Sequence, residues 1–362
     1  MRVIRFELKK HLKKIYKTII VYFFLILYDK PKLINKNIED LKFLKINYIN
    51  RFNLKKYKYK LFIINNGRVF TNFVENVSII KGNNLLEKIS FQQIKGELKN
   101  KKNDTLYNGT PKFIKKIQGT VAVLTQGASG HFNYAHWLMD ILPRIKFYET
   151  VYKKKIDYFY FSKLNEFQKQ SLKIIDINPQ KFIDSNKFRH IKANKLLVST
   201  HPNYFKKNIF FAHSRIPKWI ILFIRKTFIN KINNNSYKKI FIDRSDSNQR
   251  HCKFINNNDA KNYFKSKGFK IIRLSEYSFI NQISIFYNAK IIISPHGAGL
   301  ANLIFAKKNC KIVEIIPNNN TNKVYRRISK INNLKYKSIY LKKIKNDKGD
   351  MMFNFKNFIS HI

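Results

Sequence analysis

The stretch KIIISPHGAGLAN, residues 290–302, decides the fold. Its first half, Lys290 to Pro295, is a short apolar run of the kind that makes a strand buried on both faces. Its second half is a loop with two glycines, Gly297 and Gly299, leading straight into the apolar helical run LANLIFA. A strand followed by a glycine loop and a helix is the opening of a βαβ unit. Working outward, the same kind of run recurs as KIFIDR (239–244), KIIRLS (270–275) and KIVEII (311–316), with helical stretches between. Upstream stand TVAVLT (120–125), a helix from Tyr134 to about Glu149, DYFYFS (157–162), a helix around Glu166 to Ile175, and KLLVST (195–200). Strands at this spacing predict an α/β protein with two doubly wound halves in tandem. Ligands in such folds sit at the carboxyl ends of the strands.

Before Gly119 the rhythm differs. From Lys58 to about Ser90, KLFIINNGRVF and VSIIKGNN read as a small antiparallel module, with Asn65-Asn66-Gly67 as a hairpin signal. The expected divisions are a basic and apolar leader with a connector (1–50), an N-terminal lobe containing the β module (51–215), a C-terminal lobe (216–340) and a tail (341–362). In the leader, Arg2, Arg5, Lys9, Lys10, Lys13 and Lys14 precede an apolar run from Ile19 to Tyr28. That run is about half the ~20 residues a membrane span requires, and Asp29-Lys30-Pro31 is no signal-peptidase site. A helix on an anionic membrane surface and a helix buried against the domain both fit.

Lys and Arg number 72 against 21 Asp and Glu, a formal net charge of +51. The excess is mostly Lys, scattered along a chain also rich in Ile and Asn, as an AT-biased coding sequence produces. A solvated lysine surface and a polyanion partner are the two readings of that charge. Cys252 and Cys310 supply neither a disulfide framework nor metal-ligand spacing. With no export signal, a cytoplasmic location is expected, peripheral to the inner face of the membrane if the leader binds it.

Three clusters carry candidate chemistry. The loop His296, Gly297, Ala298, Gly299, Leu300 and Asn302 would bring backbone N–H groups and a helix start to a diphosphate. It is not the six-residue dinucleotide fingerprint, since position 302 is not glycine. Glu314, inside KIVEII, requires a partner: ribose hydroxyls or a buried salt bridge to one of the many Lys. Arg244, closing KIFIDR, and Arg250 in the next loop offer guanidinium forks for phosphate oxygens. Asn133, His136 and Asp140 fall on one helix face, with Trp137, Leu138, Ile141 and Leu142 on the buried side and Pro143 set to kink or end the helix. His136 or Asp140 could deprotonate a hydroxyl, and a structural His–Asp pair is the competing reading.

The stretches NYAHWLMDILPRI, IFIDRSDSNQRH, Gly268-Phe269 with SFINQI, and PHGAGLANLIFAKKNCKIVEIIP together resemble glycosyltransferase family 61, whose members include xylan and O-linked N-acetylglucosamine transferases. The resemblance covers roughly residues 58–320. It implies a GT-B architecture: two Rossmann-like lobes with a cleft between them, here with the small N-terminal β module in addition. It also implies an inverting reaction from a nucleotide-sugar donor to a glycan hydroxyl, in a bacterial cell-envelope setting. His296 to Asn302, Arg244, Arg250 and Glu314 would then contact the donor. His136 and Asp140 would face the acceptor with Asn133, Asp140 being the favoured base. One departure is Asn257, where the family tends to place Glu. The chain holds no Asp-x-Asp triplet, so metal-independent chemistry with no cofactor is expected, arginines neutralising the diphosphate. The rival readings are a polyanion- or nucleic-acid-binding protein and a catalytically dead lectin-like module.

Overall fold

The computed structural model describes residues 2–36, 47–54, 57–73, 76–127, 133–203, 212–232, 237–246, 252–318, 322–342, 344, 349–356 and 358. These form two compact units that are not contiguous in sequence. The first comprises Met1–His131, Arg144–Leu164 and Pro179–Ile209, and the second Phe132–Pro143, Asn165–Asn178 and Phe210–Ile362. The segment bearing Asn133, His136 and Asp140, expected in the N-terminal lobe, therefore clusters with the C-terminal residues.

The first unit is built on one mixed sheet. Its strands are β1 (Lys32–Ile34), β2 (Asn47–Leu54), β3 (Tyr57–Phe73), β4 (Asn76–Lys81), β5 (Asn84–Leu86), β6 (Phe91–Ile94), β7 (Glu97–Leu98), β8 (Lys115–Val123), β9 (Tyr158–Phe161), β10 (Phe182–Asp184) and β11 (His190–Ser199). Strands β11, β8, β9 and β10 run parallel, as expected of a βαβ series. The antiparallel strands are not a separate module, however, because β3 pairs along its length with β11.

That pairing also overturns the hairpin expected at Asn65-Asn66-Gly67. Strand β3 runs straight through, Asn65 opposite Lys195 and Gly67 opposite Ala193. The turn propensity survives only as a kink with Asn66 at φ 53°. A continuous ladder on both sides of the kink outweighs a local turn preference. Gly67 serves close approach instead, since a Cβ there would lie 2.9 Å from that of Leu196. A two-residue loop does occur at Gly82-Asn83, between β4 and β5, with Gly82 at φ 59°.

The second unit has a five-stranded parallel sheet: β12 (Lys239–Asp243), β13 (Lys270–Arg273), β14 (Ile291–Pro295), β15 (Lys311–Pro317) and β16 (Lys335–Leu341). The order is β13-β12-β14-β15-β16, a doubly wound sheet whose switch point lies between β12 and β14. Strand β16, in the stretch KYKSIYL, was not among the sequence expectations. Phe241, Ile293, Val313 and Ile315 are buried between Phe264, Phe269 and Phe353. Burying each such side chain contributes about 1.5–3 kcal/mol.

The helix opening at Tyr134–His136 does not stop at Pro143. It passes through a π turn, Trp137–Ile141, and continues as Leu142–Tyr152. The N–H of Leu142 reaches back to Trp137 O, so the bonding pattern widens just before the residue that has no N–H to give.

Candidate active site

Strands β12 and β14 end side by side, so the residues after them share one space. Arg244 follows β12 and His296 follows β14. A cavity of about 400 Å³ opens there, with all its lining residues in the second unit.

On one wall stands the short helix at Tyr134. Asn133 is its cap, its side-chain oxygen accepting the N–H groups of Ala135 (3.0 Å) and His136 (3.2 Å). It lines the cavity while doing so. His136 lies one turn before Asp140, and its Nδ1 meets Asp140 Oδ2 at 2.5 Å. The other oxygen of Asp140 accepts Nε2 of His213 at 2.8 Å. The two imidazoles line the cavity, whereas Asp140 lies behind them, 1% exposed. Burial alone would raise the Asp140 carboxyl. His213 and His136, by charge and by hydrogen bond, outweigh it and hold the group well below the usual carboxylate range. With Nδ1 of His136 facing a carboxylate, its proton sits there and Nε2 carries the lone pair.

Sequence reasoning missed His213. It lies 73 residues from Asp140, in a short 3₁₀ turn (His213–Arg215), with no local pattern to mark it. His136, Asp140 and His213 also form a donor set that could hold a metal ion, their ligand atoms lying within 4.8 Å of one another. The direct contacts at 2.5 and 2.8 Å are hydrogen-bond distances, which a proton relay requires.

On the other wall, Gly297 and Gly299 line the cavity and leave room for neighbouring side chains. A Cβ on Gly297 would fall on the guanidinium of Arg244, and one on Gly299 would meet the side chain of Leu274. The missing side chains thus make room for protein groups, and Arg244 is laid along the loop by the gap at Gly297. Gly297 is in extended backbone, φ 166°, which any residue adopts, so space rather than conformation requires glycine. Burial lowers the pKa of Arg244, with Tyr325 and Asp246 among the groups opposing it. Asp243, just before it, accepts bonds from the N–H of Ser245 (2.9 Å), from Asn257 Nδ2 (2.9 Å) and from Arg273 (3.5 Å). Those bonds fix the bend that carries Arg244, and Asn257 has a defined part in it.

The apolar run after the loop is a seven-residue 3₁₀ helix, Ala298–Ile304, not a long α-helix. Its last carbonyls, those of Leu303 and Ile304, accept Asn332 Nδ2 (3.0 and 2.8 Å), and Arg225 donates to Ile304 O (2.8 Å) and to Ala306 O (2.7 Å) just past the helix. His296, Gly297, Ala298 and Gly299 line the cavity; Leu300, Asn302 and Glu314 lie behind its wall. Asn302 is fully buried and accepts the Tyr134 hydroxyl at 2.6 Å, pinning the two short helices together. Glu314 pairs with His296 and Tyr336 in place of the Lys expected for it. Its Oε1 meets His296 Nδ1 and its Oε2 accepts the Tyr336 hydroxyl, each at 2.5 Å. Burial pushes Tyr336 up, and the Glu314 charge adds to this, so the phenol stays protonated. Arg250 lies outside the described residues. Cys252 and Cys310 are free and buried, their thiols pushed up by burial to about 11 and about 12.

Residues 134–313 match the family model described as Glycosyltransferase 61. The match spans His136, Asp140, His213, Arg244 and His296, and ends one residue before Glu314. No curated protein matched the chain.

Proposed function

On the premise that the chain belongs to glycosyltransferase family 61, and so transfers sugars onto glycans, we propose that it does so by a single inverting displacement from a nucleotide-sugar donor, without a metal. The acceptor is a glycan hydroxyl of a cell-envelope polysaccharide, capsule or lipopolysaccharide, and the sugar is a hexose or pentose. The observation that carries this reading is one cavity with two unlike walls. A carboxylate-backed imidazole, His136, stands on the first. Arg244 and a second carboxylate-backed imidazole, His296, stand on the other.

In the proposed reaction the acceptor oxygen attacks the anomeric carbon as the bond from that carbon to the diphosphate oxygen breaks. The acceptor proton passes to Nε2 of His136. Asp140 behind it, held in turn by His213, keeps the ring's orientation and stabilises the charge it acquires. This moves the base from Asp140, favoured by the sequence, to His136: both Asp140 oxygens are engaged and away from the cavity. The leaving nucleoside diphosphate takes the electron pair, and Arg244 and His296 face its growing charge. A seven-residue 3₁₀ helix carries little dipole, so these side chains take the neutralising part first given to a helix start.

A thermal-shift screen with nucleoside diphosphates and their sugars tests the reading. At least one nucleotide should raise the melting temperature, and Arg244→Ala should abolish that rise. If no nucleotide stabilises the chain, and it instead retains nucleic acid with a steep salt dependence, the polyanion reading takes its place.

A further inference from the structure

We propose that the outward face of the N-terminal helix, Arg2–Tyr28, is a docking surface for an anionic lipid bilayer. The helix advances 100° per residue. Leu8, Leu12, Ile15, Ile19, Tyr22 and Ile26 recur at spacings of four and three and fall on one face. Tyr16, Phe23 and Leu27 widen it. The six are between 53% and 86% exposed, an uncommon arrangement for apolar side chains in so ordered a row.

The opposite face is anchored to the first unit. Phe24 is buried with its ring 4.9 Å from that of Phe113. Tyr28 packs edge-on to His190 at 5.6 Å, and its hydroxyl accepts the N–H of Ile114 at 3.4 Å. Gly109 leaves room for Leu25, whose Cδ2 would lie 2.7 Å from any Cβ there. The last two turns are therefore held with the apolar row pointing away from the protein.

Charge identifies what covers that row. Lys9, Lys10, Lys13, Lys14 and Lys17 are all exposed, and Glu7 is the helix's single acidic residue against seven Lys and Arg. A 4-3 spacing would also suit a coiled-coil seam with a second copy, but pairing would bring two such basic helices together with one carboxylate each to offset them. Anionic headgroups complement the lysines while the acyl boundary takes the apolar row. Among the described residues no helix is long and apolar enough to cross a membrane, so the helix would lie in the surface. This proposal does not depend on the sugar-transfer chemistry.

The test is co-sedimentation of the full chain with phosphatidylcholine vesicles, with and without phosphatidylglycerol. Retention should be at least ~10-fold higher on the anionic vesicles. It should fall to the neutral level in an Ile15→Asn, Ile19→Asn, Ile26→Asn variant and in a variant with the five lysines changed to Gln. All these side chains are exposed, so both variants should keep the wild-type thermal melt, measured alongside. Three results overturn the proposal: equal or no retention on the two vesicle types, anionic binding that the apolar variant leaves intact (a bulk effect of the chain's charge), or a dimer in sedimentation equilibrium that the apolar variant dissolves while vesicles are not bound.

Discussion

The two histidine–carboxylate pairs of the cavity are alike in outline and unlike in their second partner. In each, a histidine Nδ1 meets a carboxylate oxygen at 2.5 Å, and the carboxylate is 1% exposed. At Asp140 the second oxygen faces another imidazole, His213; at Glu314 it faces a phenol, Tyr336. Asp140 is thus flanked on both sides by imidazoles, whose ring nitrogens can accept or donate a proton. The half-buried phenol of Tyr336, its pKa raised by burial and by the Glu314 charge, keeps its proton. The first pair is therefore suited to moving a proton, and the second to holding a ring in place.

The largest effect that could break this comparison is on turnover. His136→Gln should lower kcat by ~10³-fold, and Asp140→Asn by ~10²–10³-fold through the wrong tautomer and orientation of His136. Donor affinity should barely change in either, and a loss confined to donor binding would place these residues on the wrong substrate. Glu314→Gln should cost less, ~10-fold, and appear mainly in donor affinity, because His296 keeps a hydrogen-bonding neighbour. If it equals Asp140→Asn in kcat, the two pairs do the same work.

A comparable but more selective effect is expected of Gly297→Ala. The methyl group displaces the flexible end of Arg244 without straining the loop, so the donor KM should rise ~10-fold with an unchanged thermal melt. A lowered melt with normal KM would mean that the gap serves packing alone. Acid stability gives a smaller signal. The folded Asp140 carboxyl lies below its unfolded value, so the stability it contributes is complete above ~3.9 and is lost as pH falls through the folded value. Urea melts of wild type should weaken more steeply below that pH than those of Asp140→Asn. The smallest expected effect is none: excess EDTA should leave turnover undiminished. Loss restored by manganese would make His136, Asp140 and His213 metal ligands and end the relay reading.

Much of this site was legible in the chain. The i, i+4 spacing of His136 and Asp140 put them on one face before any coordinates, and Arg244 and His296 stood at strand ends where ligands gather. Less legible was which of these side chains looks into the cavity. Leu300, Asn302 and Glu314 share the loop and strand with His296, yet the path of the backbone turns them inward. The glycines were legible as a requirement for space, but not for whose space. That depended on Arg244 arriving from a different strand.

The sequence by itself determined the parallel strands of the second unit and the loop at His296. Runs such as KIII and KIVEII have no polar face to turn to solvent and so must be covered on both sides. It also determined the apolar row of the N-terminal helix, a property of helical spacing alone. Only the tertiary structure decided the partners of the two buried carboxylates: His213 comes from 73 residues away, His296 from 18 and Tyr336 from 22. The same holds for the merging of the antiparallel strands into one sheet through β11. A buried charge is costly enough to demand a partner, but which one arrives depends on how distant strands are brought into register, and no local pattern records that.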